Sequence, residues 1–283
     1  AQGKLCLSLT FMTVVFWGFQ IAQPGFSAGL YLGLLVVFNV APIPAIFAPW
    51  SGPIMYLVIG AYLIAGAVKS SGLGERIAYY IILKFVESYQ SIIIAIFVLT
   101  FILSLLIPHP WPRAFLIMSV IAVVIKSAKI RQEDAAKIGF AVFAASVPVS
   151  MIFLTGDSVI NVLAAQATGK AIGWIDWFVY MGPPNIIASI LTCGLILCLF
   201  KPSQAIVLNK ADIQAKLASL GRLRPVEIRT AIWIALAIIL WLTDSIHGIH
   251  LGWVTLLVAM GMGLPVVGDI LAPQDWSGVP LHV

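Results

Sequence analysis

Two short polar interruptions inside long apolar runs hold the residues with the most chemistry. The first is Pro108-His109-Pro110-Trp111-Pro112-Arg113, set between QSIIIAIFVLTFILSLLI (90–107) and AFLIMSVIAVVI (114–125). Each proline lacks an N–H and crowds the preceding turn, so this tip is expected to leave the helix. Arg113 could clamp an anionic carboxylate through its planar fork of donors, or sit in an aqueous cavity or snorkel along an apolar surface towards water. His109 could donate to a solute or carry a coupling proton, its unperturbed pKa being about 6.5, or simply cap the hairpin. Ser104, just before the tip, could offer its hydroxyl to an ion or return it to a carbonyl of its own helix.

The second interruption is Thr155-Gly156-Asp157-Ser158-Val159-Ile160-Asn161, within the apolar stretch 137–168. Asp157 could coordinate a cation or relay a proton, or cap a half-helix starting at Ser158. Thr155 and Asn161 supply the hydroxyl and amide oxygens that a hard cation accepts, and Gly156 gives the backbone its freedom to turn. Half-helix N-termini at 113 and 158 would turn positive dipole ends towards an anion. Ionisable groups within a membrane are rare unless they touch a solute or ion. Ser104, His109, Arg113 and Asn161 are therefore the expected solute-binding residues. Thr155, Gly156, Asp157 and Asn161 are the expected ion-binding residues, with sodium a candidate coupling ion and no other cofactor expected.

Composition places these residues in a bilayer. Of 283 residues, 61% are hydrophobic and only 10% charged, against about 25% charged in soluble domains, and the mean hydropathy is +1.06. The net charge of +5 lies in a few loops, as positive-inside bias requires, and needs no nucleic-acid partner. Cys6, Cys193 and Cys198 lie in apolar runs without metal-ligand spacing and read as small core residues. Ala1 opens the chain without a charged n-region, so no secretory signal is expected. Asp244, His247 and His250 have no third ligand at a fixed spacing and read as structural. No P-loop, GxSxG, HExxH or CxxC occurs, and no two catalytic side chains share a span face at useful spacing, so an enzyme is not expected.

Apolar spans are expected at 5–21, 28–48, 53–69, in the hairpin 90–125, in the interrupted span 137–168, and at 182–200, 228–246 and 251–268. Residues 70–87 read as an amphipathic helix along the interface. Residues 173–181 read as a second interfacial stretch, with Trp174, Trp177 and Tyr180 as an aromatic belt. Basic residues before the hairpin (Lys69, Arg76, Lys84), after it (Lys126, Lys129, Arg131, Lys137) and in the loop 201–229 place all three stretches in the cytoplasm. The hairpin then leaves and returns on one side. Two full spans share that parity, and the proline tip favours re-entrance. A weak repeat relates Phe16-Trp17-Gly18, Leu34-Leu35-Val36 and Ala48-Pro49-Trp50-Ser51-Gly52 to Leu240-Trp241-Leu242, Leu256-Leu257-Val258 and Ala272-Pro273 with Trp276-Ser277-Gly278. The copies start on opposite sides, the inverted plan of secondary transporters. The expected division is a first transmembrane repeat over 1–200, a cytoplasmic basic linker over 201–225 and the start of a second repeat over 226–283. On this plan the chain would lack a second hairpin.

Ser70-Ser71-Gly72-Leu73-Gly74-Glu75-Arg76-Ile77-Ala78 resembles the stretch before the cytoplasmic hairpin of the divalent anion:sodium symporters, of the ion transporter superfamily. Thr155 to Asn161, then Gly173-Trp174-Ile175-Asp176-Trp177-Phe178 and Gly182-Pro183-Pro184, resemble that family's broken span and the segments after it. Glu227 with Leu240-Trp241-Leu242-Thr243 is similar to the start of its second half. The resemblance implies an elevator-type transporter, often a homodimer, moving dicarboxylates, citrate or sulfate with sodium. It also implies a solute and ion site at hairpin tips and span breaks. The tip departs from the family: where members often carry Ser-Asn-Thr, this chain reads Pro108-His109-Pro110, while Pro108 and Arg113 match relatives with a P-S-T-x-x-R tip.

The expectation is an all-α, multi-pass integral membrane protein of the plasma (bacterial inner) membrane, with a re-entrant helical hairpin and an interrupted span within an inverted-repeat architecture. It would transport a small anion driven by a sodium or proton gradient. The alternative is a membrane scaffold or partner-dependent half-transporter without transport of its own.

Overall fold

The computed structural model describes residues 2–203 and 210–279; among them every regular element is helical. The part of the expected linker at 204–209, and the last residues of the expected second repeat at 280–283, lie outside the described residues. The chain divides into two compact units, residues 1–55 joined by Val279, and residues 56–278. That division follows packing, whereas the boundary expected near 201–225 follows internal symmetry.

In the first unit α1 (Gln2–Gly18) and α2 (Pro24–Val37) run antiparallel. The register is marked by Trp17 Nε1 donating to Ser27 Oγ (2.8 Å) and Thr10 Oγ1 meeting Tyr31 Oη (3.0 Å). Leu9, Leu35 and Ile46 form their shared core. The continuous span expected over 28–48 is not formed. Helix α2 stops at Val37, Asn39 turns left-handed (φ +49°), and short helices α3 (Ile43–Ile46) and α4 (Ala48–Ser51) follow. Pro42, Pro44 and Pro49 remove the amides a continuous helix needs.

The second unit carries the candidate residues. Helices α5 (Pro53–Ser71) and α6 (Leu73–Phe85) meet at Gly72, whose φ of +81° suits glycine. The expected interfacial helix over 70–87 is α6, with Glu75 in its first turn and Lys84 in its last. Helices α7 (Tyr89–Leu106) and α8 (Pro110–Ser127) form the hairpin. Each arm has 18 residues, about 27 Å at 1.5 Å per residue. Helix α7 is the most enclosed span: Ile92, Ile93, Ile96, Leu99 and Leu103 are fully buried, and it packs against α6, α8, α9 and α11.

Helix α9 (Gln132–Ser150) ends in the expected interruption, a single 3₁₀ turn over Leu154–Asp157, and α10 (Ile160–Ala167) resumes it. The interfacial stretch 173–181 and the span 182–200 are one helix, α11 (Trp174–Leu199), with Pro183 and Pro184 inside. Its apolar residues Ile187, Ile190, Leu191, Leu195 and Leu199 are exposed, as lipid contact requires. The expected linker is partly helical, α12 (Lys210–Ser219), because Ile213 is buried where α12 packs on α6 and α8. Helix α13 (Pro225–Leu242), the short α14 (Asp244–His247) and α15 (Leu251–Gly263) complete the unit. Helices α5, α7, α8, α11 and α13 are long and apolar enough to cross a membrane.

At the basic end of α9, Asp134 is completely buried. It accepts from Lys137 Nζ (2.8 Å), Ser203 N (2.9 Å) and Ser203 Oγ (3.1 Å), tying α9 to the chain leaving α11. Burial pushes this carboxyl upward, but the Lys137 and Ser203 hydrogen bonds outweigh it and hold the group below its ordinary value. A depressed folded-state pKa stabilises above the unfolded value and loses that contribution as pH falls through the folded one. Asp134→Ala should therefore destabilise by about 2–3 kcal/mol at neutral pH. Thermal unfolding in detergent should show the wild-type advantage constant near pH 7 and shrinking only below about pH 4.

Candidate functional site

The hairpin tip and the span break meet. Between α7 and α8 only Ile107, Pro108 and His109 are non-helical. Helix α8 starts at Pro110 rather than at Arg113, because Pro110 and Pro112 fall in a first turn whose N–H groups have no intrahelical partner. His109 caps this turn: its Nδ1 accepts from Trp111 N (3.3 Å). The neutral ring then carries its proton on Nε2, 3.5 Å from Tyr62 Oη, with the two rings 4.7 Å apart. The N-terminus of α8 thus offers few free amides, since two first-turn residues are prolines and a third amide is capped.

Across the tip, α9 carries Pro148 in its last turn, and Phe153 is extended (φ −109°, ψ 143°). Helix α10 begins at Ile160, two residues later than expected. Asp157 Oδ1 accepts from Val159 N and Ile160 N (3.2 Å each), the capping role. Ser158 N donates to Pro108 O (3.3 Å), joining the break to the tip.

Arg113 is fully buried and bridges the two interruptions. Its Nη1 donates to Ile107 O and Gly156 O (3.3 Å each), and its Nη2 to Ser150 Oγ (2.6 Å). Ser150 Oγ in turn donates to Ser146 O. The guanidinium therefore braces the backbone from behind and does not snorkel. Asn161 does the same from α10, its Nδ2 donating to Ser150 O (2.8 Å) and Phe153 O (2.9 Å). Thr155 Oγ1 accepts from Trp174 Nε1 (3.1 Å) and Met151 O from Trp177 Nε1 (3.0 Å). Gly156 leaves no room for a side chain: a Cβ would overlap the Ser150 carbonyl. Ser104 is buried and donates to Phe101 O (2.7 Å), keeping its hydrogen within its own helix.

Trp174 and Trp177 do not form the expected belt; both are buried against the break, and only Tyr180 is exposed. Phe153 fills the space left by the missing helical turn, stacking on Trp174 (5.3 Å) and Phe178 (5.6 Å) and meeting Phe101 (5.4 Å). Nothing in the sequence marks Ser150, Trp174 or Tyr62 as partners of the tip and break. An unbroken apolar pattern conceals a serine's role, and a tryptophan beside an aspartate reads as an interface.

On the open side of the junction lies a cavity of ≈ 300 Å³, lined by Pro110, Trp111, Ala114, Phe143, Ser146, Val147, Ser150, Met151, Asp157 and Ile160. Of the expected site residues Asp157 reaches it. Two buried atoms at this junction, Arg113 Nε and Ser158 Oγ, have no hydrogen-bond partner. The distant polar group is structural: Asp244 accepts from Trp174 N (2.8 Å), His247 Nε2 donates to Leu240 O (2.8 Å), and His250 Nδ1 caps Gly252 N (3.1 Å). Among the described residues no three His, Cys, Asp or Glu side chains could hold a metal ion.

The family described as sodium:sulfate symporter transmembrane region matches residues 1–275. The chain belongs to this family. It is an integral, multi-pass membrane protein. A chloroplastic dicarboxylate transporter 1 from Spinacia oleracea is 27% identical over 84% of this chain and 45% of its own length. The inner membrane protein YbhI of Escherichia coli (strain K12) is 24% identical over 92% of this chain and 63% of its own. The dicarboxylate transporter 1 of Arabidopsis thaliana is 26% identical over 87% and 46%. The chain thus spans about half the length of the curated relatives it matches.

Removing Asn161's amide would leave the Ser150 and Phe153 carbonyls unpaired at a site with little water. Asn161→Ala should cost about 2–4 kcal/mol, and Asn161→Asp, which cannot donate when ionised, should cost as much. Trp174→Phe keeps the stack and loses one bond, so it should cost about 1 kcal/mol. Apparent melting temperatures in detergent should fall in that order.

Proposed function

We propose that this protein is a half or larger part of a secondary active transporter for small anions, dicarboxylates foremost, in which the joined tip and break form one wall of the solute site. The dicarboxylate assignment draws on the names of the two plant relatives and on the family. The observation that carries the transport reading is the cavity beside Asp157. A carboxylate in a low-dielectric cavity repels an anion unless a cation or proton sits with it. A site of this kind takes its anion together with a positive charge, which is the requirement of a symporter.

The oxygens near the break divide into two groups. Ile107 O, Gly156 O and Ser150 Oγ already accept from the Arg113 guanidinium, a cation fixed to the chain. Asp157 lines the cavity and is the residue we assign to the mobile cation, sodium or proton. Ser158 Oγ and Arg113 Nε are buried behind that wall and do not line the cavity. His109, held by Tyr62 and its own capping bond, positions the tip in this account, and Ser104 is structural.

The test is uptake of labelled dicarboxylate into proteoliposomes under an imposed sodium or pH gradient. Asp157→Asn should cut gradient-driven uptake by about tenfold or more and abolish its dependence on the gradient. Arg113→Ala should abolish uptake by uncoupling tip from break. Wild-type uptake in both variants would overturn the site assignment.

A further inference from the structure

Away from the cavity, one cluster is tied more tightly than a surface ion pair. Arg76, in the first turn of α6, uses every nitrogen of its side chain. Nε donates to Glu227 Oε1 (2.7 Å), and Nη2 to Glu227 Oε2 (3.0 Å). Nη1 donates to Gly221 O (3.0 Å), and Nη2 also reaches Leu220 O (3.2 Å) and Arg222 O (3.4 Å). Those three carbonyls end the segment after α12. Glu227 is only 1% exposed, and its Oε2 also accepts from Arg224 N (2.7 Å), capping α13. The Arg224 guanidinium crosses in the other direction and donates to Ser71 O, the last residue of α5. It lies where a Cβ on Gly72 would be, 2.9 Å away, and Gly72 is the left-handed corner between α5 and α6.

Two arginines thus cross-link two chain segments 144 or more residues apart, each to the other's backbone, about one buried carboxylate. Exposed ion pairs contribute little because water screens them and long side chains resist ordering. Here the carboxylate is shielded, its partner binds as a bidentate fork, and three peptide carbonyls at a chain turn depend on the same guanidinium. Loss of Arg76 leaves the buried Glu227 carboxylate without its fork, and loss of Arg224 frees the carbonyl of buried Ser71.

We infer that Arg76, Glu227 and Arg224 form an ionic bracket that makes the α5–α6 corner, the end of the basic linker and the first turn of α13 open and close as one unit. Helix α6 cannot swing about Gly72 while the start of α13 stays in place. A movement of α6 about Gly72 must therefore carry the start of α13 with it. This device does not depend on which solute, if any, is carried.

Hydrogen exchange on the full chain in detergent micelles tests it. In Glu227→Gln, amides at 72–76 and at 220–224 should exchange faster together, by about tenfold or more, while α9 keeps its wild-type rates and so reports an intact fold. Arg76→Lys keeps a charge but cannot span a carboxylate and three carbonyls, and should loosen 220–222 as well as 72–76. Gly72→Ala, which displaces Arg224 and strains the corner, should loosen 224–227 across the bracket. If Glu227→Gln speeds exchange only at 226–228 and leaves 72–76 unchanged, Glu227 is a helix cap alone and the bracket is wrong. Loosening of one side without the other in Arg76→Lys or Gly72→Ala would overturn it equally.

Discussion

A bilayer offers no water to a carbonyl that has lost its helical partner, and this constraint organises the second unit. The chain breaks its helices twice, after Leu106 and after Ser150, and almost every freed group has an identifiable partner. Ile107 O and Gly156 O take Arg113, Ser150 O and Phe153 O take Asn161, Met151 O takes Trp177, and Pro108 O takes Ser158 N. The partners come from three helices, α8, α10 and α11, and from the turn before α10. Neither interruption could be satisfied alone, so tip and break exist as a pair.

The polar residues most visible in the sequence are consequently spent on backbone, and the chemistry open to a solute is narrower than their number suggests. Arg113 is a fixed cation behind the wall, Asn161 a brace, and Thr155 the acceptor for Trp174. Asp157 alone of the expected residues both caps a helix and faces the cavity. In the proposed symport, that one carboxylate links the anion to the cation. The bracket around Glu227 follows the same logic at the basic end of the unit, where a buried acid accepts from Arg76 and the Arg224 amide while the two guanidiniums hold four backbone carbonyls.

Much of this was legible in the sequence, and the reasons for the misses are physical. Apolar runs with proline tips located the hairpin and the interrupted span because hydropathy and missing amides are local properties. The start of α8 was placed three residues late, since prolines read as breakers wherever they fall, yet Pro110 and Pro112 are harmless in a first turn. The span over 28–48 fails for the opposite reason: a continuous helix would hold Pro42 and Pro44 in its interior, so the chain turns at Asn39 and sets them at the start of α3. Trp174 and Trp177 read as a belt because their neighbours are amphipathic; what buries them is a gap whose contacts lie 19 and 26 residues upstream, invisible without the fold. The partners of Arg113 are three carbonyls and hydroxyls that any sequence supplies everywhere, so its role as a brace has no sequence signal.

The central claim is that the cavity between the tip and the break, beside Asp157, is one wall of the anion site. Ile160, exposed on its rim, can report this directly as Ile160→Cys, with Cys6, Cys193 and Cys198 replaced by serine. The measurement is its rate of maleimide labelling in membranes, with and without a dicarboxylate. The account predicts that, at matched pH and salt, adding dicarboxylate slows labelling by about tenfold when sodium is present or the pH is acid, and that dicarboxylate without either does not. An unchanged rate under every condition would contradict it, leaving the junction a structural brace and the solute elsewhere.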